Sequence, residues 1–127
     1  MTRLATALAR WPGTPYAAGQ EMPGVGAACW RFVCAVLDEV HGLATPRPAE
    51  ALGSWALVRS LLRAYAPVRR IEVLEPGAIV VVRGAVDLHV LIADDDLALW
   101  HAAPNGVARA SLSSIGPALR VYRVRAA

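Results

Sequence analysis

The strongest constraint in this sequence is a change of hydrophobic period part-way along the chain. Cys29, Phe32, Val33, Val36, Leu37 and Val40 fall at i, i+3, i+4, i+7, i+8 and i+11, one apolar stripe of a helix ending at Gly42. His41 lies in its last turn, where a partial positive charge suits the helix dipole. After Arg70 the period changes. Ile79–Val82, Val86–Ala93, Leu97–Ala102, Val107–Leu112 and Leu119–Val124 are short β-rich runs. They are separated by the turn signals Pro76-Gly77, Gly84, Asp94-Asp95-Asp96, Pro104-Asn105-Gly106 and Gly116-Pro117. Helices first and strands later predict an α+β domain, with N-terminal helices packed on a mostly antiparallel sheet of about five strands. Thr2–Trp11 reads as a short first helix, residues 12–28 as a loop, and Ala49–Ala66 as a further helix stopped by Pro67. The 127 residues fit one domain, 1–127.

Composition narrows the function classes. At 56% hydrophobic and 18% charged the chain is not of a disordered type. No apolar run reaches the roughly 18–20 residues of a membrane-spanning helix. Arg10 and Pro12 interrupt the amino terminus before it builds the apolar core of a secretory signal, so none is expected. The net charge is +3, and every one of the 13 basic residues is Arg. They are scattered, with only Arg69 and Arg70 adjacent, so no basic stripe predicts a nucleic-acid partner.

Two cysteines, Cys29 and Cys34, lie five apart in the helical stretch. At roughly 100° per residue they project about 140° apart, so two free thiols are expected. No second pair of ligands stands at metal-site spacing, and no cofactor or metal is expected. The Asp94-Asp95-Asp96 run reads as a solvated hairpin turn. Trp11, Trp30, Trp55 and Trp100 read as core or cleft walls. Cys29 falls in the first turn of the helix, where the dipole and unpaired backbone N–H groups favour thiolate. Cys34 is mid-helix and is expected to be structural.

His89 and His101 flank the acidic turn. A three-residue loop 94–96 pairs Ala93 with Leu97, Leu91 with Leu99 and His89 with His101. Both rings then share one face, with opposed Cβ atoms about 4.5–5.5 Å apart. Near a thiol, one imidazole can take the proton while the second orients the first. Asp87 shares the face of His89 and is a fallback for the orienting role. The same residues also suit two histidines placed in a sheet with no joint role.

Five segments in order resemble one family. Gly13-Thr14-Pro15-Tyr16-Ala17-Ala18-Gly19 is similar to the opening motif of the NlpC-like cysteine peptidases, bacterial and phage cell-wall endopeptidases of the papain-like superfamily. Ala28-Cys29-Trp30-Arg31-Phe32-Val33 resembles their nucleophile motif, Asp-Cys-Ser/Trp-Gly-Phe/Leu-Val. Pro76-Gly77-Ala78-Ile79-Val80 resembles their strand opener, Pro-Gly-Asp-Leu/Ile-Val. His89-Val90-Leu91-Ile92 resembles the base motif His-Val-Gly-Ile, and His101-Ala102 the third catalytic position. The resemblance implies a papain-like fold with Cys29 as nucleophile, His89 as general base and His101 as orienting residue. It implies that Tyr16 helps form the oxyanion site with the Cys29 backbone N–H. Thiolate attack on an amide would give an acyl-enzyme and then hydrolysis, with a peptidoglycan stem peptide as substrate.

The sequence departs from the family's motifs at Gln20, Ala28, Arg31, Ala78 and Leu91. Arg31 adds bulk and charge near the thiol and is expected to shape or block the cleft. A bare domain of this family with no export signal points to a phage-tail or gene-transfer-particle tail-tip component. Such a component is made in the cytoplasm, contacts other tail proteins and is delivered by the particle. The alternative is a structural tail-tip subunit that keeps the fold with little or no catalysis. A cytosolic amidase or acyltransferase on small substrates is a third reading.

Overall fold

In the computed structural model, the residues described are 1–45, 47, 68–83, 88–116 and 118–124. The expected helix 49–66, Trp55 and Asp87 lie outside them. The first helix, α1, runs Arg3–Leu8, with the Thr2 hydroxyl accepting from the Ala5 N–H at 3.0 Å. It is shorter than expected because Trp11 precedes Pro12 and is disfavoured in the α conformation. The chain turns there through a Trp11 N–H to Leu8 carbonyl bond of 3.1 Å.

Residues 12–28, expected as loop, contain a small antiparallel hairpin, β1 (Glu21–Met22) with β2 (Gly26–Ala27). Two-residue strands are too short to show an alternating pattern. The helix α2 spans Cys29–His41 and ends on Gly42 in the left-handed conformation, φ 65°. Its stripe of Phe32, Val33, Val36 and Leu37 is buried as expected. His41 is in the last turn, but burial pushes its pKa below the ordinary value, so it supplies little positive charge to the dipole.

The sheet has six strands among the described residues, one more than expected. They are β3 (Val68–Ile71), β4 (Ile79–Arg83), β5 (Leu88–Ala93), β6 (Leu99–Ala103), β7 (Gly106–Ala110) and β8 (Ala118–Val124). The order is β3-β8-β4-β5-β6-β7, antiparallel throughout. The additional strand, β3, carries Arg69 and Arg70 exposed side by side, so it shows no two-residue period. Leu112, expected at the end of a strand, instead opens the short helix α3 (Leu112–Ile115).

Both faces of the central strands are covered. On one face α1 and α2 bring Leu4, Leu8, Trp11, Phe32 and Leu37 against Ile79, Val81, Val90 and Ile92. On the other, Val80, Val82, Leu91, Ala93 and Leu99 pack with Leu74, Ile115 and Ala118. That double burial is why β4 and β5 read as continuous apolar runs. It also gives Leu91 a packing reason: the side chain fills the second core and is fully buried.

The β5–β6 hairpin differs from expectation. Ala93 pairs with Leu99 and Ile92 with Trp100. The loop is Asp95-Asp96-Leu97, one residue later, closed by an Asp94 N–H to Ala98 carbonyl bond of 2.9 Å. Leu97 takes the left-handed position usual for this loop type, φ 65°, a conformation that costs a non-glycine residue about 1–2 kcal/mol. Moving the turn by one residue shifts the register by two, so each side chain keeps its face.

The segment before β1 is pinned to the far edge of the sheet. Buried Thr14 accepts from Gly24 N–H through its hydroxyl and from Val107 N–H through its carbonyl, both at 2.8 Å. Gly106 lies against it at φ 107°, and a Cβ there would sit 2.8 Å from the Thr14 carbonyl oxygen. Gly106→Ala is therefore expected to destabilise the fold by about 1–3 kcal/mol, measured by urea denaturation. A change under about 0.5 kcal/mol, the scale of a neutral surface substitution, would show that this clamp does not constrain the loop.

Candidate active site

Cys29 is the first residue of α2, following Ala28, whose backbone is extended and whose N–H is held by the Gln20 carbonyl at 2.9 Å. Ala28 offers no side chain to cap the helix. The backbone N–H of Cys29 has no carbonyl partner within the helix, as at any helix start.

The Cys29 sulfur sits where the β5–β6 ladder has opened. Cross-strand pairing ends at Ile92 with Trp100, and alternation turns the Val90 N–H and carbonyl to the β6 side. Both meet the sulfur: the Val90 N–H donates to Sγ at 3.4 Å, and the Val90 carbonyl is 3.4 Å away as an acceptor. The third neighbour is His89, with Nδ1 at 3.3 Å from Sγ. Nε2 of His89 is 2.7 Å from Nδ1 of His101, and the rings stand nearly edge to face at 77°. Cys29, His89 and His101 therefore form one hydrogen-bonded line, while Asp87 lies outside the described residues. Direct opposition of the two rings does not occur, because the register is displaced by two residues. Since two is even, they still share a face.

The line couples the two tautomers, with the thiol proton shared between two acceptors, His89 Nδ1 and the Val90 carbonyl. If His89 Nδ1 accepts the thiol proton, its Nε2 carries hydrogen and donates to His101 Nδ1. His101 then carries its own proton on Nε2.

Electrostatics correct the expectation of a favoured thiolate. Burial pushes the Cys29 thiol up to about 11, and the Val90 N–H only partly offsets this. Burial, then the neighbouring His101, push His89 down to about 4. Burial also lowers His101. At neutral pH the resting site is a thiol beside two neutral imidazoles. The position at the helix start does not overcome desolvation of the charged form.

Tyr16 is held by backbone alongside Ala27, two residues before Cys29. It bridges Ala27 in parallel, with Ala17 N–H to Ala27 carbonyl and Ala27 N–H to Pro15 carbonyl bonds of 3.0 Å each. Tyr16 is 46% exposed. Arg31 turns from the thiol: it lies about 200° round the helix from Cys29 and pairs with Glu21 of β1 at 3.4 Å. Glu21 also takes Arg47 through both carboxylate oxygens, and Arg47 reaches Asp38 and the Thr45 carbonyl. This network ties β1 to α2 from residues far apart in sequence, and no local pattern announces it.

Both cysteines are free thiols, and Cys34 is wholly buried. Trp11 packs edge-on against Phe32 at 5.0 Å, and Trp30 and Trp100 are partly buried against the same core. Asp94 is not the solvated turn residue expected. It is 8% exposed and accepts from Asp96 N–H, Ala98 N–H, Trp100 Nε1 and Arg109 Nε. Among the described residues no three His, Cys, Asp or Glu side chains gather to hold a metal ion, and no helix is long and apolar enough to cross a membrane. Neither a family model nor a curated protein matches the chain.

The pKa directions set a stability window. His89 binds its proton less readily folded than unfolded, so its contribution is fully present above the ordinary 6.5 and is lost as pH falls towards about 4. Cys29 keeps its proton longer when folded, so stability is lost as pH rises from the ordinary 9.0 towards about 11. Urea midpoints are expected to be flat between these limits and to fall on either side, with a shallower acid limb in His89→Gln. An acid limb unchanged by that substitution would show that His89 is not held neutral by the fold.

Proposed function

We propose that this chain is a cysteine peptidase or amidase that hydrolyses peptidoglycan stem peptides. The observation that carries the reading is the line from Cys29 Sγ through His89 to His101, at 3.3 and 2.7 Å, at the head of a helix. A thiol, a base within reach and a group orienting that base are what nucleophilic acyl transfer needs. As sulfur attacks the amide carbonyl, His89 Nδ1 takes the thiol proton and the imidazolium keeps its Nε2–H on His101. The proton now on Nδ1 then goes to the leaving amine as the C–N bond breaks, which leaves a thioester on Cys29. Water, deprotonated by the same Nδ1, adds to the thioester carbonyl; the C–S bond breaks, the acid leaves, and the Nδ1 proton returns to the Cys29 sulfur. The Cys29 N–H and Tyr16 are the candidates for binding the oxyanion.

The choice of substrate and of an NlpC-like, papain-like fold rests on the five motif resemblances in chain order. The tail-tip assignment, with delivery by a phage or gene-transfer particle and neighbouring tail proteins as partners, is an extension of the same family resemblance. A specific observation favours a second reading: a thiol pushed up to about 11 beside an imidazole pushed down to about 4 is poorly prepared for attack. That suits a structural tail-tip subunit of low activity. On the enzyme reading, substrate binding and displacement of the thiol from Val90 have to drive the proton transfer.

Comparison of wild type, Cys29→Ala, His101→Ala and Cys34→Ala on muropeptides, with products read by mass spectrometry, separates these. Cys29→Ala is expected to lose hydrolysis while remaining folded, with a stability loss of about 1–3 kcal/mol, because the Val90 N–H and carbonyl lose their partner. His101→Ala is expected to slow it about 10–100-fold, below the full range of general acid–base catalysis. Cys34→Ala is expected to stay within about threefold, the mark of a residue remote from the chemistry. A wild-type protein that releases no product, whether isolated or in the particle, while particle assembly requires it, would establish the structural reading.

A further inference from the structure

We propose that Asp94 is a positioning residue whose carboxylate selects the β5–β6 register that brings His101 onto His89. Its catalytic consequence rests on the proposed function; its structural consequence does not.

Two registers of this hairpin satisfy the hydrophobic pattern equally. One has the loop Asp95-Asp96-Leu97 and pairs Ala93 with Leu99, as observed. The other has the loop Asp94-Asp95-Asp96 and pairs Ala93 with Leu97. They differ by two residues, so Leu91, Leu99, His89 and His101 keep their faces in both. Burial of apolar side chains therefore does not choose between them. Backbone preference points the wrong way, since the observed loop places Leu97 at φ 65°, a position better suited to glycine.

The Asp94 carboxylate supplies the missing choice. Oδ1 accepts from the N–H groups of Asp96 and Ala98 at 2.9 and 3.0 Å, wrapping the turn around the side chain. Oδ2 accepts from Trp100 Nε1 at 2.9 Å and Arg109 Nε at 2.7 Å. Trp100 and Arg109 face each other on β6 and β7, so one carboxylate joins three neighbouring strands. Burial acts to raise its pKa, but the bonds from Arg109, Trp100 and the turn N–H groups outweigh that and keep it ionised. A two-residue slip moves Trp100 along β5 by about 6.8 Å, two strand rises of roughly 3.4 Å. Trp100 Nε1 then leaves Oδ2. The same slip carries His101, the next residue, by the same distance relative to His89 and breaks the 2.7 Å bond between the rings. The end of the ladder opposite Val90, where the Cys29 sulfur lies, moves with it.

The test compares Asp94→Ala, Asp94→Asn and Asp94→Ala/Leu97→Gly with wild type. Circular dichroism reads the fold, imidazole nitrogen NMR without substrate reads the His89 Nε2–H to His101 bond, and stem-peptide hydrolysis gives kcat and KM. Asp94→Ala is expected to stay folded, lose the ring-to-ring signal and drop kcat about 10–100-fold with KM within about threefold, as for a lost proton-transfer alignment. Asp94→Asn is expected to fall between, because its single carbonyl oxygen cannot serve both the turn and Trp100 with Arg109. Leu97→Gly is expected to restore part of the signal and of kcat in the Asp94→Ala background, since it removes the backbone penalty of the observed register. A remote structural lesion would lower stability without moving the ring signal or responding to Leu97→Gly.

The proposal is overturned if Asp94→Ala keeps both the ring signal and kcat, or if Leu97→Gly restores neither. Should Asp94→Ala fail to fold, retention of the full ring signal in Asp94→Asn overturns it, and partial loss supports it. If wild type hydrolyses nothing, the proposed function falls and the ring signal alone decides Asp94.

Discussion

The sulfur of Cys29 takes the place of a strand. Where β6 parts from β5, the Val90 N–H and carbonyl would face an empty gap, and the head of α2 fills it with a thiol. Buried backbone groups need partners, so this contact fixes the helix start against the sheet. It also decides the rest of the site. A sulfur held on Val90 is within reach of the ring of the preceding residue, His89, and His101 is next in line. The same burial that makes the contact removes water from the thiol and from His89, and so holds both neutral.

The two ends of the β5–β6 hairpin have opposite tasks. At the turn, Asp94 gathers two backbone and two side-chain donors and closes the ladder tightly. Beyond Ile92 and Trp100 the ladder opens and admits the sulfur. On the other side of the nucleophile, Thr14 pins the incoming loop to β7, and backbone bonds carry Tyr16 alongside Ala27. The site is thus built from rigid strand and helix ends, with its polar groups oriented by backbone.

The α2 stripe and the apolar runs of β4 and β5 were legible because burial on those elements imposes a period or a continuous run. Cys29 at the helix head and the shared face of His89 and His101 were legible for the same reason: helix phase and strand parity survive small errors in turn position. What the sequence hides is non-local. The loop begins at Asp95, and the side chains that place it there, Trp100 and Arg109, lie on other strands. The strand β3 carries Arg69 and Arg70 outward and has no alternation to read. The charge state of Cys29 follows from how deeply its neighbours bury it, which a position at a helix start does not reveal. The Glu21–Arg47–Asp38 network likewise joins residues that only the fold brings together.

The central claim is a neutral thiol seated on Val90 and aimed at a neutral imidazole pair. It is tested most directly by the ultraviolet absorbance of the thiolate, recorded as a pH titration of wild type minus Cys29→Ala. The difference spectrum is expected to show no thiolate through neutral pH, with absorbance growing only as pH approaches about 11. A thiolate step at or below pH ~7, as for a thiol activated by a neighbouring cation, would show instead a preformed thiolate–imidazolium pair and contradict the account.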